Sequence, residues 1–364
     1  MKNFLLVFVL LSTVVSNAQI VNIPDPNFKA ALLEINGLDV NADGEIQVSE
    51  AEAASAIVVS DKNISDLTGI EAFVNISQLY VNFNDLTTID ISNNTNLIEL
   101  LIEFNQLESL DVSNNPRLLW LWFSGNNVSE IDLSNNPDIQ LLWASNNQLE
   151  SLDVSLLPNL ASLNVGNNLI STIDLTSNPK LSQIDFVAGN MFTELDLSRN
   201  PLLCSVVVGH NSLLEYINLK NGGNTLLVEG DTCYFGDGQG NSILIATNNP
   251  ILSTICVDEV SFAESNFPHI SSFTEFIDDC LLATTDFEIA SVRLYPNPSQ
   301  DFVSITSEKV ITGVHIYSVL GRLMYKNSSA EGIEMIDIST YDSGIYFVSL
   351  EATEYKGAFQ ILKN

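Results

Sequence analysis

The chain has 364 residues and a formal net charge of −32 at pH 7, from 13 Lys and Arg against 45 Asp and Glu. That field repels nucleic acid and anionic membranes and favours calcium and cationic surfaces as partners. Three widely spaced histidines, His210, His269 and His315, leave little material for a multi-histidine metal centre or a Ser-His-Asp triad.

In chain order, "MKNFLLVFVLLSTVVSNAQI" reads as a signal peptide over residues 1–18, with Ser16 and Ala18 at the small-residue positions and Gln19 as the first mature residue. Its apolar run is short for a transmembrane span, and no later stretch approaches about 18 uninterrupted apolar residues, so an integral membrane protein is not expected. Residues 24–36, "PDPNFKAALLEIN", predict a short amphipathic helix with Phe28, Leu32 and Ile35 on one side, covering the first turn of the repeat region.

Residues 39–50, "DVNADGEIQVSE", have the spacing of an EF-hand-type calcium loop. Asp39, Asn41 and Asp43 stand at positions 1, 3 and 5, Gly44 at the sharp turn, Glu45 at the carbonyl position 7, Gln47 at 9 and Glu50 at the bidentate position 12. Calcium needs six or more oxygens, and this spacing supplies them from one segment. Gly37 interrupts the entering helix and no second loop is visible to pair with it. The loop therefore resembles those of extracellular modules, with an expected dissociation constant of roughly 10⁻⁴ to 10⁻³ M. A structural calcium is the expected cofactor.

The middle of the chain is a repeat. Aligning "LIELLIEFNQLESLDVSNNP", "LLWLWFSGNNVSEIDLSNNP" and their successors puts Asp90, Asp111, Asp132, Asp153 and Asp174 at a spacing of 21, which becomes 22 at Asp196 and Asn218. Each unit follows L-x-x-L-x-L-x-x-N-x-L-x-x-L-D-L-S-x-N-P-x, and in this it resembles the leucine-rich-repeat family over about residues 60–220. The inward leucines of one coil, meaning one turn of the solenoid, cannot be buried without a neighbouring coil. Asn84, Asn105, Asn126, Asn147, Asn168, Asn190 and Asn211 should stack as a ladder that satisfies backbone groups. A second short strand, typified by "SLDVS", is expected in each coil. It would align the aspartates in a column that either caps the following turn or binds cations.

With the ladder Asn at position 9, positions 3 and 5 face outward on the concave side. Position 5 reads Tyr80, Leu101, Trp122, Trp143, Asn164, Asp185, Val207, and position 3 reads Gln78, Glu99, Trp120, Leu141, Ser162, Gln183, Ser205. All three tryptophans thus fall in two adjacent coils. Tyr80, Leu101, Trp120, Trp122, Leu141 and Trp143 form the candidate ligand-binding patch, since such side chains supply large, rigid contact area. The alternative is that the patch is covered by another domain or a second copy.

Residues 221–241 fit no repeat, "GDGQGN" there reading as a glycine turn. In "NNPILSTICVD", Leu252, Ile255 and Val257 occupy inward places of one last strand, before a cysteine-bearing cap ending near Cys280. Four cysteines, Cys204, Cys233, Cys256 and Cys280, suggest two disulfides in an exported chain. Three pairings are open; 204 with 233 and 256 with 280 would close the shortest loops.

Residues 293–364 hold six Lys and Arg against eight Asp and Glu, net −2, leaving −30 for everything before them. This shift marks a boundary near residue 290. Beyond it, alternating apolar segments and glycine turns predict about seven short antiparallel strands in a small β-sandwich. Tyr295-Pro296-Asn297-Pro298, the "IYSVLGR" segment around Gly321 and Gly344-Ile345-Tyr346-Phe347-Val348 resemble the C-terminal sorting domain of the type IX secretion system. That resemblance implies export across the outer membrane of a Gram-negative cell and handling by the secretion machinery, usually with removal of this domain.

The expected fold is mainly β: a leucine-rich-repeat solenoid with a short helical N-cap, then a small C-terminal antiparallel β-sandwich. The division is signal peptide 1–18, N-cap with calcium loop 19–59, repeats 60–220, solenoid cap 221–284, linker 285–292 and sorting domain 293–364. No nucleophile and base stand at a recognisable motif, so catalysis is not expected. The expected function is binding of a polysaccharide or protein at the concave face, in a secreted or surface-displayed protein. A self-associating structural or adhesive coat component is the alternative.

Overall fold

A leucine repeat of period 21 can be buried only by stacking, and that is how the chain is built. The computed structural model describes residues 19–186, 189–229, 232–235, 238–280, 293–307, 310–318, 323–328, 333–352 and 355–364. The expected signal peptide and linker, and Gly321, lie outside the described residues. The chain divides after Cys280 into two compact units.

In the first unit, short strands from successive coils pair in parallel into a ten-stranded sheet among the described residues, from Ala56–Val58 to His269–Ile270. The pairing is in register, for example Leu79 with Leu100, Leu100 with Leu121 and Leu121 with Leu142. These central residues are fully buried, as are Leu163, Ile184 and Val206 further along. Their neighbours on either side point to the opposite face. The fold is a leucine-rich-repeat solenoid.

The asparagine ladder forms as its spacing demands. Asn105 Nδ2 donates to the carbonyls of Val81 and Ile102, and its Oδ1 accepts from Leu86 N–H at 3.1 Å. Asn126, Asn147 and Asn168 repeat the pattern one coil at a time.

The second strand of each coil does not form throughout. Among the described residues it appears only as Glu194–Asp196, Tyr216–Asn218, Thr254–Cys256 and Glu275–Ile277, a four-stranded parallel sheet on the far side of the last coils. In earlier coils the turn that follows this segment is tied to its neighbour by side chains. A second asparagine ladder, from the last Asn of each Ser-Asn-Asn-Pro turn, reaches back one coil: Asn115 Nδ2 donates to Ile91 and Asn94 carbonyls, and Asn136 to those of Val112 and Asn115. Asn200, in the coil of Glu194–Asp196, makes the same two donations to the carbonyls of Leu175 and Asn178, so this ladder runs on into the coils that carry the second strand.

The N-terminal helix spans Pro26–Glu34 and buries Phe28, Ala31 and Leu32 against the first coils. Asp25 caps it, accepting from Asn27 and Phe28 N–H through one carboxylate oxygen and from Ser65 N–H through the other, which ties the cap to the repeats. At the other end, Leu252, Ile255 and Val257 are buried as expected. The solenoid does not stop at that strand, however: Ile243–Ala246 and His269–Ile270 extend the concave sheet, and Glu275–Ile277 extends the second one. The insertion forms an antiparallel hairpin, Thr232–Phe235 with Gly238–Asn241. Disulfides join Cys204 to Cys233 and Cys256 to Cys280, the pairing with the shortest loops.

In the second unit, a three-stranded sheet (Arg293–Tyr295, Phe302–Thr306, Met335–Asp337) and a four-stranded sheet (Leu323–Ser328, Ile311–Ser318, Gly344–Ala352, Tyr355–Lys363) pair antiparallel throughout. Val303, Ile305 and Ile336 from the first share one core with Val314, Ile316 and Val348 from the second, making a β-sandwich.

Candidate functional site

The register brings the six patch residues together. Tyr80 pairs with Leu101, Leu101 with Trp122, Trp122 with Trp143, and Trp120 with Leu141. Parallel strands one spacing apart force flat rings in one column to stack. The Trp122 and Trp143 centroids are 4.1 Å apart with planes 9° from parallel, and Trp120 lies parallel to Trp122 at 6.1 Å. The ring faces within the row therefore cover one another and the edges face outward. Leu101 and Leu141 are buried between these neighbours, while Tyr80 and the three tryptophans are half-buried. Trp143 Nε1 donates to Ser162 Oγ at 3.1 Å, whereas Trp122 Nε1 is enclosed by the stack without a partner. Tyr80 donates its hydroxyl hydrogen to the Glu99 carboxylate; burial first and then this bond push the phenol up to about 12. Burial also raises the nearby Glu103 carboxyl.

A second aromatic feature was not legible from positions 3 and 5. Position 8 of the repeat takes a left-handed backbone at Asp61, Phe83, Phe104, Gly125, Asn146, Asn167, Gly189, His210 and Asn248. Glycine and asparagine suit that conformation, and phenylalanine does not. Phe83 and Phe104 nevertheless hold it at φ 57° and 51°, about half exposed, with their rings stacked at 4.6 Å. At Gly125 a Cβ would stand 2.7 Å from the Phe104 ring, so the missing side chain makes room for the pair. The signal in the sequence was a bulky residue in a column otherwise reading Asp, Gly, Asn and His.

The 39–50 loop has the hydrogen bonds that its spacing implies. Asp39 Oδ2 accepts from Gly44 N–H at 3.0 Å, Asn41 Oδ1 from Asp43 N–H at 2.9 Å, and Asp43 Oδ1 from Glu45 N–H at 2.9 Å. Gly44 provides the turn at φ +80°. The bond from Glu45 N–H, the leading effect, holds the Asp43 carboxyl below its ordinary range. The donor chemistry fits calcium: carboxylates, an amide oxygen and the Glu45 carbonyl in one segment. The placement is not that of a closed cage. Glu50 turns its two oxygens to Val40 and Gln47 N–H, the amides of Asn41 and Gln47 donate to Asp43, and among the described residues no three His, Cys, Asp or Glu side chains gather as a metal site.

The aspartate column caps turns. Asp90, Asp111, Asp132 and Asp153 each accept from the N–H of the serine two residues on, at 2.8–3.0 Å, and Asp174 does so from Thr176. Bonds to these Ser and Thr residues lower all five carboxyls despite repulsion between neighbours in the column.

A leucine-rich-repeat solenoid joined in sequence to a small β-sandwich is thus the class of protein. Residues 293–364 match the family described as the secretion system C-terminal sorting domain, so the chain is a secreted or cell-surface protein whose tail fits type IX secretion machinery. No helix among the described residues is long and apolar enough to cross a membrane. Among curated proteins, a stretch of 82 residues is 33% identical to ulvan lyase NLR42 of Nonlabens ulvanivorans, covering 22% of this chain and 15% of that protein. Similar solved structures include the functional domain of InlJ from Listeria monocytogenes (22% identity, TM-score 0.44, 66% of this chain and 58% of that chain) and internalin C2 of the same species (18%, 0.47, 55% and 87%).

Proposed function

We propose that the protein binds a polysaccharide or protein ligand outside the cell through the early coils of its concave face, without catalysing a reaction. The observation that carries this reading is the in-register row of Tyr80, Leu101, Trp122 and Trp143 with Trp120 and Leu141 beside it, flanked by the exposed Phe83–Phe104 stack. Because the stacked rings present edges, an apolar protein surface fits the row better than sugar rings lying flat on it. The lyase activity in the name of the Nonlabens protein belongs to a chain of which this one matches 15%. We further propose calcium as a structural ion of the N-cap, held by Asp39, Asn41, Asp43, Glu45, Gln47 and Glu50.

Tryptophan emission of the full chain tests the reading directly, since all three tryptophans lie in the patch. A solvent-exposed emission that shifts on adding one polysaccharide or protein from a panel, and loses that response in Trp122→Ala at unchanged mass, supports ligand binding. A blue emission indifferent to every addition, with a dimer that dissociates in Trp122→Ala, replaces it with self-association.

A further inference from the structure

The row of residues immediately before each concave strand changes character along the solenoid. It reads Ser77, Ile98, Leu119 and Gln140, and then the run of smaller residues Ala161, Ser182 and Cys204. The smaller side chains leave a hollow on the flank, and the inserted hairpin, pinned by the Cys204–Cys233 disulfide, stands over it. The result is a cleft of about 780 Å³, within the range of small-molecule sites.

Its lining is unlike the rest of the solenoid. One wall carries Asn159 and Lys180, and the other carries Thr225, Thr232 and Tyr234. Leu202 and Leu226 form an apolar shoulder, each about half exposed. Among the described residues none that lines it is Asp or Glu, in the part of the chain that carries −30. Lys180 is exposed, and among the described residues its ammonium meets the Asn159 amide oxygen at 2.6 Å and no carboxylate. Lys29 and Lys62, by contrast, are paired with Glu45 and Glu34. An ammonium has three N–H donors, so further donors remain for an anionic oxygen. The amides and hydroxyls match a polyhydroxylated ligand, and the Tyr234 ring, 68% exposed at the lip, offers a face to an apolar sugar surface.

We propose that this cleft binds a saccharide unit bearing a carboxylate, with Lys180 holding the carboxylate and Tyr234 stacking on the ring. The acidic field of the solenoid disfavours long polyanions. At physiological salt, screening over about 8 Å lets the local cation decide for a short ligand. The site is separate from the concave row and contains no tryptophan, so its fate and that of the concave reading are read independently.

Titration calorimetry of the full chain with tri-galacturonate, and with its methyl ester, tests the assignment. Binding of the acid should weaken at least about tenfold in Lys180→Gln, while Lys180→Arg retains it. The ester should bind wild type and Lys180→Gln alike, and Tyr234→Ala should weaken both ligands. Both substituted side chains are exposed, and unchanged melting curves confirm folding. Absence of binding to wild type, equal affinity in wild type and Lys180→Gln, or a shift of tryptophan emission with binding lost in Trp143→Ala would each overturn the proposal.

Discussion

The early and late coils of the solenoid solve one problem by two chemistries. Both bury the same leucines under the same concave sheet. Up to about residue 185, the far side is closed by side chains: Asn115 and Asn136 reach back across the coil boundary, and the aspartates cap the turns. From Glu194 on, a backbone ladder is added to the asparagines, Asn200 still reaching back to Leu175 and Asn178, with two disulfides beyond. The repeat motif specifies the inward leucines strictly and the far side loosely, so the far side is where coils of one family can differ.

The sharpest way to break this comparison is reduction. Opening Cys204–Cys233 and Cys256–Cys280, which close loops of 29 and 24 residues in sequence separation, should cost about 3–4 kcal/mol each. Hydrogen exchange should then accelerate after residue 200 and stay unchanged over residues 78–143; equal acceleration in both would mean that the halves are not distinct. Asn126→Ala strikes the other half. It deletes donations to the Ile102 and Phe123 carbonyls and an acceptor for Leu107 N–H, and should cost about 2–3 kcal/mol in urea unfolding.

Calcium addresses the N-cap alone. At 10 mM calcium and a dissociation constant of about 10⁻⁴ to 10⁻³ M, the gain is about 1.4–2.7 kcal/mol, seen as a higher melting temperature that EDTA removes. Asp43→Ala should lose the response; an equal melting temperature with and without calcium in wild type would end the calcium proposal. Acid has the smallest expected effect. Asp90, Asp111, Asp132, Asp153 and Asp174 titrate below their ordinary value when folded, so the stability they contribute is complete above the unfolded value of about 4 and is lost as pH falls through the folded one. Acid exchange should therefore open the early coils first, and protection there that is independent of pH between about 5 and 2 would contradict the capping role.

Features fixed by periodicity were legible in advance. The leucines, the first ladder and the outward row follow from side chains recurring at one spacing, because stacking leaves them no other place. What escaped was what depends on distance between coils. The second strand was expected everywhere because "SLDVS" alternates like a strand, yet alternation within one coil does not say how the neighbouring coil's backbone is placed against it. The Phe83–Phe104 stack depends on a backbone conformation that bulky residues rarely adopt, so composition argued against it. The cleft beside Lys180 needed the path of an insertion that fits no repeat. In the calcium loop the ligand types were legible, while the rotation of Glu50 toward Val40 and Gln47 N–H was not.

One rung is missing from the second ladder. Where Asn115, Asn136 and Asn178 stand in their coils, the coil of Leu141–Trp143 has Leu157, buried and without an amide. The carbonyls of Leu133 and Asn136 accordingly receive only their local backbone N–H groups. The junction left unbraced at the back is the one at which Trp122 and Trp143 stack at the front. In a linear array, the weakest joint decides where a pulled or heated filament parts. The indole pair, its centroids 4.1 Å apart, is thus a contact that spans that joint from the front.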